Sequence, residues 1–349
     1  SGGATCPSLL LEPSRTNLAT QSEYLNSTWS ENRSTLIANY DTSPEGVNNA
    51  TKIKEDTSPS TTHFIGDGFN YTLGVDYSWS IYLKADGRDE VSLQQGNPAI
   101  ISLNAVFNFT SETVTNIGSG TARIKNVGNG WYRCSIEGAT ALSTGSTNLN
   151  IFLRSGNSSS YTGDGISGVL VYGFQLEEAS YPTSYIPTYG TSQTRAGESF
   201  SATGLADYLG DSEGTLYFEA EQFENAGLIS IIETSNSGVS MGVTGANTFL
   251  LSVRIAGTNQ ADIQSGAIFN PNTNFKLAGK YKTNDFEFFK DGVSLGTDTS
   301  GNTFGDGDLI TIQSDSAFPA NQPFYGRIKQ ILVFKEALSD TELIKLTTI

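Results

Sequence analysis

The sequence is poorest in histidine, methionine and cysteine. One histidine, His63, stands among 349 residues. Ser-His-Asp and Cys-His triads would therefore all have to use His63, and zinc sites built on several histidines are excluded. Within Thr61-Thr62-His63-Phe64 it reads as a partly exposed, neutral strand residue rather than a base. Two cysteines, Cys6 and Cys134, leave one bridge open and fix no disulfide framework. Cys134 lies in an apolar run, residues 131–136, and reads as a small core residue. Basic residues are scarce as well: 20 Lys and Arg against 36 Asp and Glu give a net charge of −16. Such a surface repels nucleic acid and anionic membrane, so no nucleic-acid partner is expected. No apolar run reaches the roughly 18 residues of a membrane helix, so no membrane insertion is expected. The start, residues 1–4, reads as a processed or tagged end without a leader. Gly118-Ser119-Gly120 lacks a following Lys and helix, which excludes a phosphate loop.

What is present points to strands. Gly (37), Phe (19) and Tyr (15) are plentiful, and Ser, Thr and Asn fill the gaps between apolar segments. This mixture suits many short strands joined by Gly and Asn turns, and it suits neither long helices nor disorder. The length is enough for two cores. In residues 77–85, Trp79, Ile81 and Leu83 point one way, and Ser78, Ser80, Tyr82 and Lys84 the other. That alternation is a half-buried antiparallel strand. Residues 105–109, 123–127, 149–153 and 169–176 continue it, with a tight hairpin at Gly128-Asn129-Gly130. Residues 34–70 are polar and irregular, reading as one strand plus long loops on a rim, where binding surfaces usually sit. Alternation resumes at Gly214 and runs to Phe334, with a hairpin through Asp291-Gly292. Ser339 followed by Glu342 is a capping box that starts a short helix.

Five blocks carry a specific resemblance: LLLEPSRTNL (residues 9–18) with Trp29 following, YSWSIYLKADG (77–87), GNGWYRCSI (128–136), YTGDGISGVLVYGFQLEE (161–178) and YPTSYIPTYGTSQTRAGES (181–199). In this order they resemble a β-sandwich module of tailed-phage tail, fibre and other virion proteins, related in shape to jelly-roll carbohydrate-binding modules. The strand at residues 326–334, the short helix after it and Phe289-Lys290-Asp291-Gly292 resemble the close of a laminin-G or concanavalin A-like domain. Together they imply an all-β chain of two β-sandwich (jelly-roll) domains in tandem. The expected boundaries are 1–190 for the carbohydrate-binding-module-like sandwich, 191–212 for a linker and 213–349 for the laminin-G-like sandwich with its short helix. The resemblance implies a non-enzymatic structural or adhesion protein of a phage virion: a tail or head fibre, or a capsid decoration protein. Its partners would be host surface glycans, other virion proteins and further copies of itself, as a trimer. The alternatives are a secreted, extracellular bacterial glycan-binding module, and a polysaccharide lyase or glycosidase.

Candidate sites follow from these readings. Glycan binding needs aromatic faces, and Trp29, Tyr181 and Tyr185 are the candidates, against core packing for Trp29 and connector packing for the tyrosines, which Pro182 and Pro187 stiffen. Trp131 reads as core. A glycosidase needs two carboxylates acting on one bond. Glu177 and Glu178 are neighbours on a strand and point to opposite faces, so they cannot act together. Glu219 and Glu221 read as the solvent side of an ordinary strand. The family topology implies a structural Ca²⁺ near Glu12 and Glu177, and Asp164 and the 306–308 loop are further oxygen-rich spots. None has EF-hand spacing.

Overall fold

The computed structural model describes residues 8–25, 28–210, 212–224, 227–234, 236–305, 307–312 and 323–348. Cys6 and Asp306 lie outside the described residues, and with them the question of a bridge to Cys134. The all-β expectation holds: strands succeed one another along the chain, and the one helix among the described residues is Asp340–Thr347. The chain forms two compact units. One is Ser14–Ala196; the other joins Ser1–Pro13 to Gly197–Ile349.

The Ser14–Ala196 unit is a sandwich of two six-stranded sheets. The first runs, edge to edge, Thr113–Asn116, Asn104–Asn108, Glu90–Gln95, Gly145–Arg154, Phe64–Tyr71 and Ser30–Asn32. The second runs Thr121–Gly128, Trp131–Thr140, Asp76–Asp86, Gly168–Glu178, Ala50–Glu55 and Ser34–Asp41. Neighbours in both are antiparallel. Tyr77, Trp79, Ile81 and Leu83 point into the core between the sheets, as the alternation demands. The hairpin at residues 128–130 forms as expected, with positive φ at Gly128, Asn129 and Gly130.

The outer face of the second sheet differs from expectation. Ser78 and Ser80 are buried, not solvated. The segment after Glu178 folds back across this face, and the Ser78 hydroxyl donates to the Ala179 carbonyl at 2.9 Å. A smaller cluster of Ala50, Trp131, Leu170 and Tyr172 packs there with Tyr82 and Tyr185. The closing strand Gly168–Glu178 is therefore covered on both faces. It also carries a bulge between Tyr172 and Gln175, at Gly173 (φ 61°). Before the bulge Val169 and Val171 face the core; after it Phe174 and Leu176 do. The switch turns Gln175 and Glu177 under the return segment. A side chain at Gly173 would strike the rings of Tyr82 and Tyr185, at 3.1 and 3.3 Å from a Cβ.

Asn17 explains why the first sequence block accompanies the last two. It is fully buried, its amide donating to the carbonyls of Phe174 and Ile186 and its oxygen accepting from the N–H groups of Ala19 and Leu176. Four satisfied bonds in a dry site fasten three separate stretches of chain.

The second unit also has two six-stranded sheets. One is Leu9–Leu11, Gly326–Phe334, Glu213–Gln222, Asn274–Lys282, Phe286–Lys290 and Val293–Asp298; the other is Phe200–Ala202, Leu309–Ile312, Gly227–Thr234, Ser237–Val243, Thr248–Ile255 and Thr258–Ile268. Its core is rich in Phe, including Phe218, Phe249, Phe275 and Phe288. The Asp291-Gly292 hairpin forms with positive φ at both residues. At the helix start the Ser339 N–H donates to the Glu342 carboxylate at 2.9 Å, one half of a capping box.

Two boundary expectations are corrected. Leu9–Leu11, expected in the first sandwich, pairs with Gly326–Phe334, and Leu11 is buried in the second core. Residues 191–212, expected as a linker, carry two strands: Gln193–Arg195 pairs with Arg15–Asn17, and Phe200–Ala202 pairs with Leu309–Ile312.

Candidate functional site: a groove at one end of the first sandwich

The bulge at Gly173 leaves Glu178 on the same side as Leu176, at the end of the closing strand. There the sandwich opens into a groove of about 400 Å³ lined by Leu18, Thr20, Asp67, Asn70, Tyr77 and Glu178, among others. A second depression of about 260 Å³ shares Leu18 and Glu178 and adds Ser14, Arg15 and Thr16. The first is of a size at which small ligands bind. The walls mix apolar and polar groups. The Tyr77 hydroxyl donates to Glu178 at 3.3 Å and accepts from the Thr72 N–H at 2.9 Å. Asp67 accepts from the Gly68 N–H at 2.8 Å. Asn70, Thr72, Thr20 and Glu178 are exposed, so hydroxyl, amide and carboxylate groups converge on one open space.

The residues singled out by sequence fall as follows. Tyr181 is half-buried, with the Arg15 guanidinium 5.7 Å from its ring centroid; through Arg15 it adjoins the smaller depression. Tyr185 is half-buried on the outer face of the second sheet, its hydroxyl 2.6 Å from that of Ser22. Trp29 is 5% exposed and packs edge-on against Phe174 (5.1 Å) and Phe69 (6.4 Å), so it belongs to the core and presents no face to a ligand. Trp131 is buried, as expected. His63 is a correction: it is fully buried rather than partly exposed. Its Nδ1 lies 2.8 Å from the Arg33 carbonyl, which can only accept, so Nδ1 carries the hydrogen.

The acidic candidates are spread over both units. Glu12 belongs to the other unit, where its N–H donates to Glu198 at 2.9 Å. Glu177 is fully buried; it accepts from the Thr183 hydroxyl (2.5 Å), the Thr183 N–H (2.9 Å) and the Gln175 amide (2.7 Å). Burial raises its pKa against these bonds and against the attraction of Arg133. Asp164 caps its own turn, accepting from the Ser167 hydroxyl (2.7 Å) and from the N–H groups of Ile166 (2.8 Å) and Ser167 (2.7 Å). These bonds, the Ser167 hydroxyl first, hold its pKa well below the usual carboxylate range. Glu177 is sealed and committed to those bonds, whereas Asp164 is half-exposed and its bonds serve its own turn. Among the described residues no three His, Cys, Asp or Glu side chains form a metal-binding group.

Sequence reasoning missed Glu55. It is fully buried, held by two bonds from Arg88 (2.6 and 2.8 Å), by the Tyr161 hydroxyl (2.6 Å) and by the Asp164 N–H (2.8 Å). This pair ties the rim loops together. Glu55 is sealed from solvent beneath a partly exposed Arg88, which makes the pair architecture rather than a binding surface.

Residues 207–344 match the family model of the concanavalin A-like lectin/glucanases superfamily, of the laminin G type. No curated protein matches the sequence. Among the solved structures that resemble the chain are the following three. The CBM40 of Ruminococcus gnavus IT-sialidase, bound to alpha2,3 sialyllactose, is 19% identical over 44% of this chain and 97% of its own, with a TM-score of 0.36. A putative carbohydrate binding protein from Bacteroides ovatus is 9% identical over 84% of this chain and 82% of its own, with a TM-score of 0.33. A tail fiber protein from an E. coli phage is 10% identical over 94% of this chain and 42% of its own, with a TM-score of 0.26. At such identities and scores the likeness says nothing of ligand.

Proposed function

We propose that this chain is a non-enzymatic glycan-binding protein of a phage particle surface, a fibre or decoration protein that contacts host glycans through its first sandwich. The observation that carries the binding half is the groove beside Glu178, where exposed hydroxyl, amide and carboxylate groups converge over an apolar floor of Leu18 and Phe69. Sugars present just this pairing of polar rim and apolar C–H face. The concanavalin A-like match of residues 207–344 is compatible with the same role. The particle assignment, the self-assembly as a trimer and the contacts with other virion proteins rest on the resemblance of the five sequence blocks.

A glycan array of bacterial surface polysaccharides, probed with the purified chain, tests the binding half. Hits weakened roughly 10- to 100-fold by Asn70→Ala with Glu178→Ala are expected, since lost hydrogen bonds involving charge are worth about 1.5–3 kcal/mol. An array without hits sinks it. Mass spectrometry of purified particles tests the other half, and absence of the chain from them refutes the virion assignment.

One observation favours a second reading. Asp67 and Glu178 both line the groove, so two carboxylates face one space, as a glycosidase would require. Release of reducing ends from a polysaccharide that binds the array, abolished by Asp67→Asn, would replace the non-enzymatic reading with this one.

A further inference from the structure

The return segment carries a second feature, built around Glu23. This carboxylate is 7% exposed, yet it meets only neutral donors: the hydroxyls of Tyr189 (2.9 Å), Tyr172 (3.3 Å) and Tyr185 (3.4 Å) and the Asn49 amide (3.5 Å). Among the described residues no Lys, Arg or His forms an ion pair with Glu23 or with Glu45 beside it. Elsewhere in the same unit two buried carboxylates are answered by cations, Glu55 by Arg88 and Glu90 by Arg154, while Glu177 is held by three shorter bonds from neutral donors, 2.5 to 2.9 Å, with Arg133 attracting it. A buried carboxylate keeps its charge cheaply only with such a partner. Here three of the four bonds are long, and the local field stays negative. Glu23 and Glu45 both disfavour ionisation of the Tyr189 and Tyr172 phenols; Tyr189, perturbed first by burial, is pushed up to about 12.

Two exposed rings adjoin this charge: Tyr189, whose hydroxyl reaches Glu23, and Tyr24 beside Tyr189. Tyr24 is 44% exposed and Tyr189 is 61% exposed. Their centroids are 6.2 Å apart and their planes are inclined at 48°, an open V rather than a stack. The hydroxyl of Tyr189 is held by Glu23, so that wall is fixed. Beside it the Asn49 side-chain oxygen is buried and has no hydrogen-bond partner among the described residues. Aromatic walls, a buried carboxylate lacking a countercharge and a spare acceptor together describe a receptor for an organic cation.

We propose that Tyr24, Tyr189 and Glu23 form a site for an organic ammonium group, either the primary ammonium of an amino sugar or a quaternary ammonium headgroup. The rings contact the cation's C–H and N–H surface, and Glu23 supplies the charge. The Asn49 oxygen offers an acceptor that only the primary ammonium can use. This site is separate from the groove and does not depend on it.

Calorimetric titration of the full chain with glucosamine, with choline and with neutral N-acetylglucosamine tests the proposal. Glucosamine or choline binds, N-acetylglucosamine does not, and the affinity falls at least about fivefold in Tyr24→Ala and in Tyr189→Ala, the range of a lost cation–π contact. Both rings are exposed, and unchanged circular dichroism of Tyr24→Ala shows that the fold is kept. Binding of glucosamine alone assigns the amino-sugar source; binding of choline assigns the quaternary one. Glu178→Ala leaves either titration unchanged, so a failed groove and a failed cation site are told apart. No binding by either cation, binding of the neutral sugar that Tyr24→Ala weakens as much as it weakens the cation's, or cation binding unaffected in both tyrosine variants overturns the proposal.

Discussion

Glu177 offers a sharp test of whether the return segment is held by a buried carboxylate acting as an acceptor. Replacing it with Ala leaves the buried Thr183 N–H without a partner and removes the charge that faces Arg133. An orphaned buried donor costs about 1–3 kcal/mol, and the vacated volume adds to it, so roughly 2–4 kcal/mol is lost. In a unit of this size that lowers the melting temperature by about 5–15 °C. Glu177→Gln behaves differently. Its oxygen can take the donors at 2.7 and 2.9 Å, while its nitrogen donates to the Thr183 hydroxyl, which turns to accept. The structure thus predicts a cost below about 1 kcal/mol for Gln. The pH dependence has a definite sign. Burial raises the Glu177 pKa above its ordinary 4.5, so the folded state holds this proton to higher pH than the unfolded chain does. The stability this group contributes is complete below pH 4.5 and is lost as pH rises through the folded pKa. The Gln variant lacks that loss and gains on the wild type between acid and neutral pH. Scanning calorimetry of the three proteins at pH 4 and pH 7 measures all of this. A Gln variant as damaged as the Ala variant at pH 7, or one that tracks the wild type at both pH values, refutes the account.

Trp29→Ala should cost about 3–5 kcal/mol, because the indole fills the core against Phe69 and Phe174. Chemical denaturation measures it, and a loss of glycan binding with unchanged stability would instead make Trp29 a binding residue. Asp164→Asn should destabilise the chain at neutral pH, and the gap from wild type should close in acid. The Asp164 pKa is depressed, so its contribution is present above the ordinary 3.8 and is lost as pH falls through the folded value. Acid titration followed by circular dichroism shows it, and a gap that stays constant below pH 3 counts against the Asp164 cap.

The readable parts of this fold are those governed by short-range rules. Alternation placed Trp79, Ile81 and Leu83 in the core, and the Gly-Asn-Gly and Asp-Gly stretches marked hairpins because they tolerate positive φ. The unreadable parts depend on pairings far apart in the chain. Ser78 and Ser80 look like solvent-facing residues, and only the fold-back of the segment after Glu178 buries them. The bulge at Gly173 changes which side of the strand faces inward, and this alone decides that Glu177 is sealed and Glu178 lines a groove. Adjacent glutamates pointing to opposite faces was legible; which of them meets solvent was not. Glu23 and Glu55 stand among polar residues with no local signal, and their tyrosine and arginine partners lie 33 to 166 residues away.

The same long-range logic decides what counts as a folding unit. Leu9, Leu10 and Leu11 are equally apolar against any sheet edge, and the chain uses them to extend the sheet of the second unit. Residues 14–196 therefore interrupt that unit after its first strand. Arg15–Asn17 and Gln193–Arg195 lie antiparallel, so the outgoing and returning chains run side by side and the interruption closes at its base. The family match, residues 207–344, is then shorter than the structure that folds with it. Cut from its first strand, that stretch would bare the Gly326–Phe334 edge to other chains and remove Leu11 from its core, a loss of about 2–5 kcal/mol for a buried leucine. A boundary drawn through residues 191–212 separates the sequence blocks, but the hydrogen bonds of the sheet put Leu9–Leu11 in the second unit.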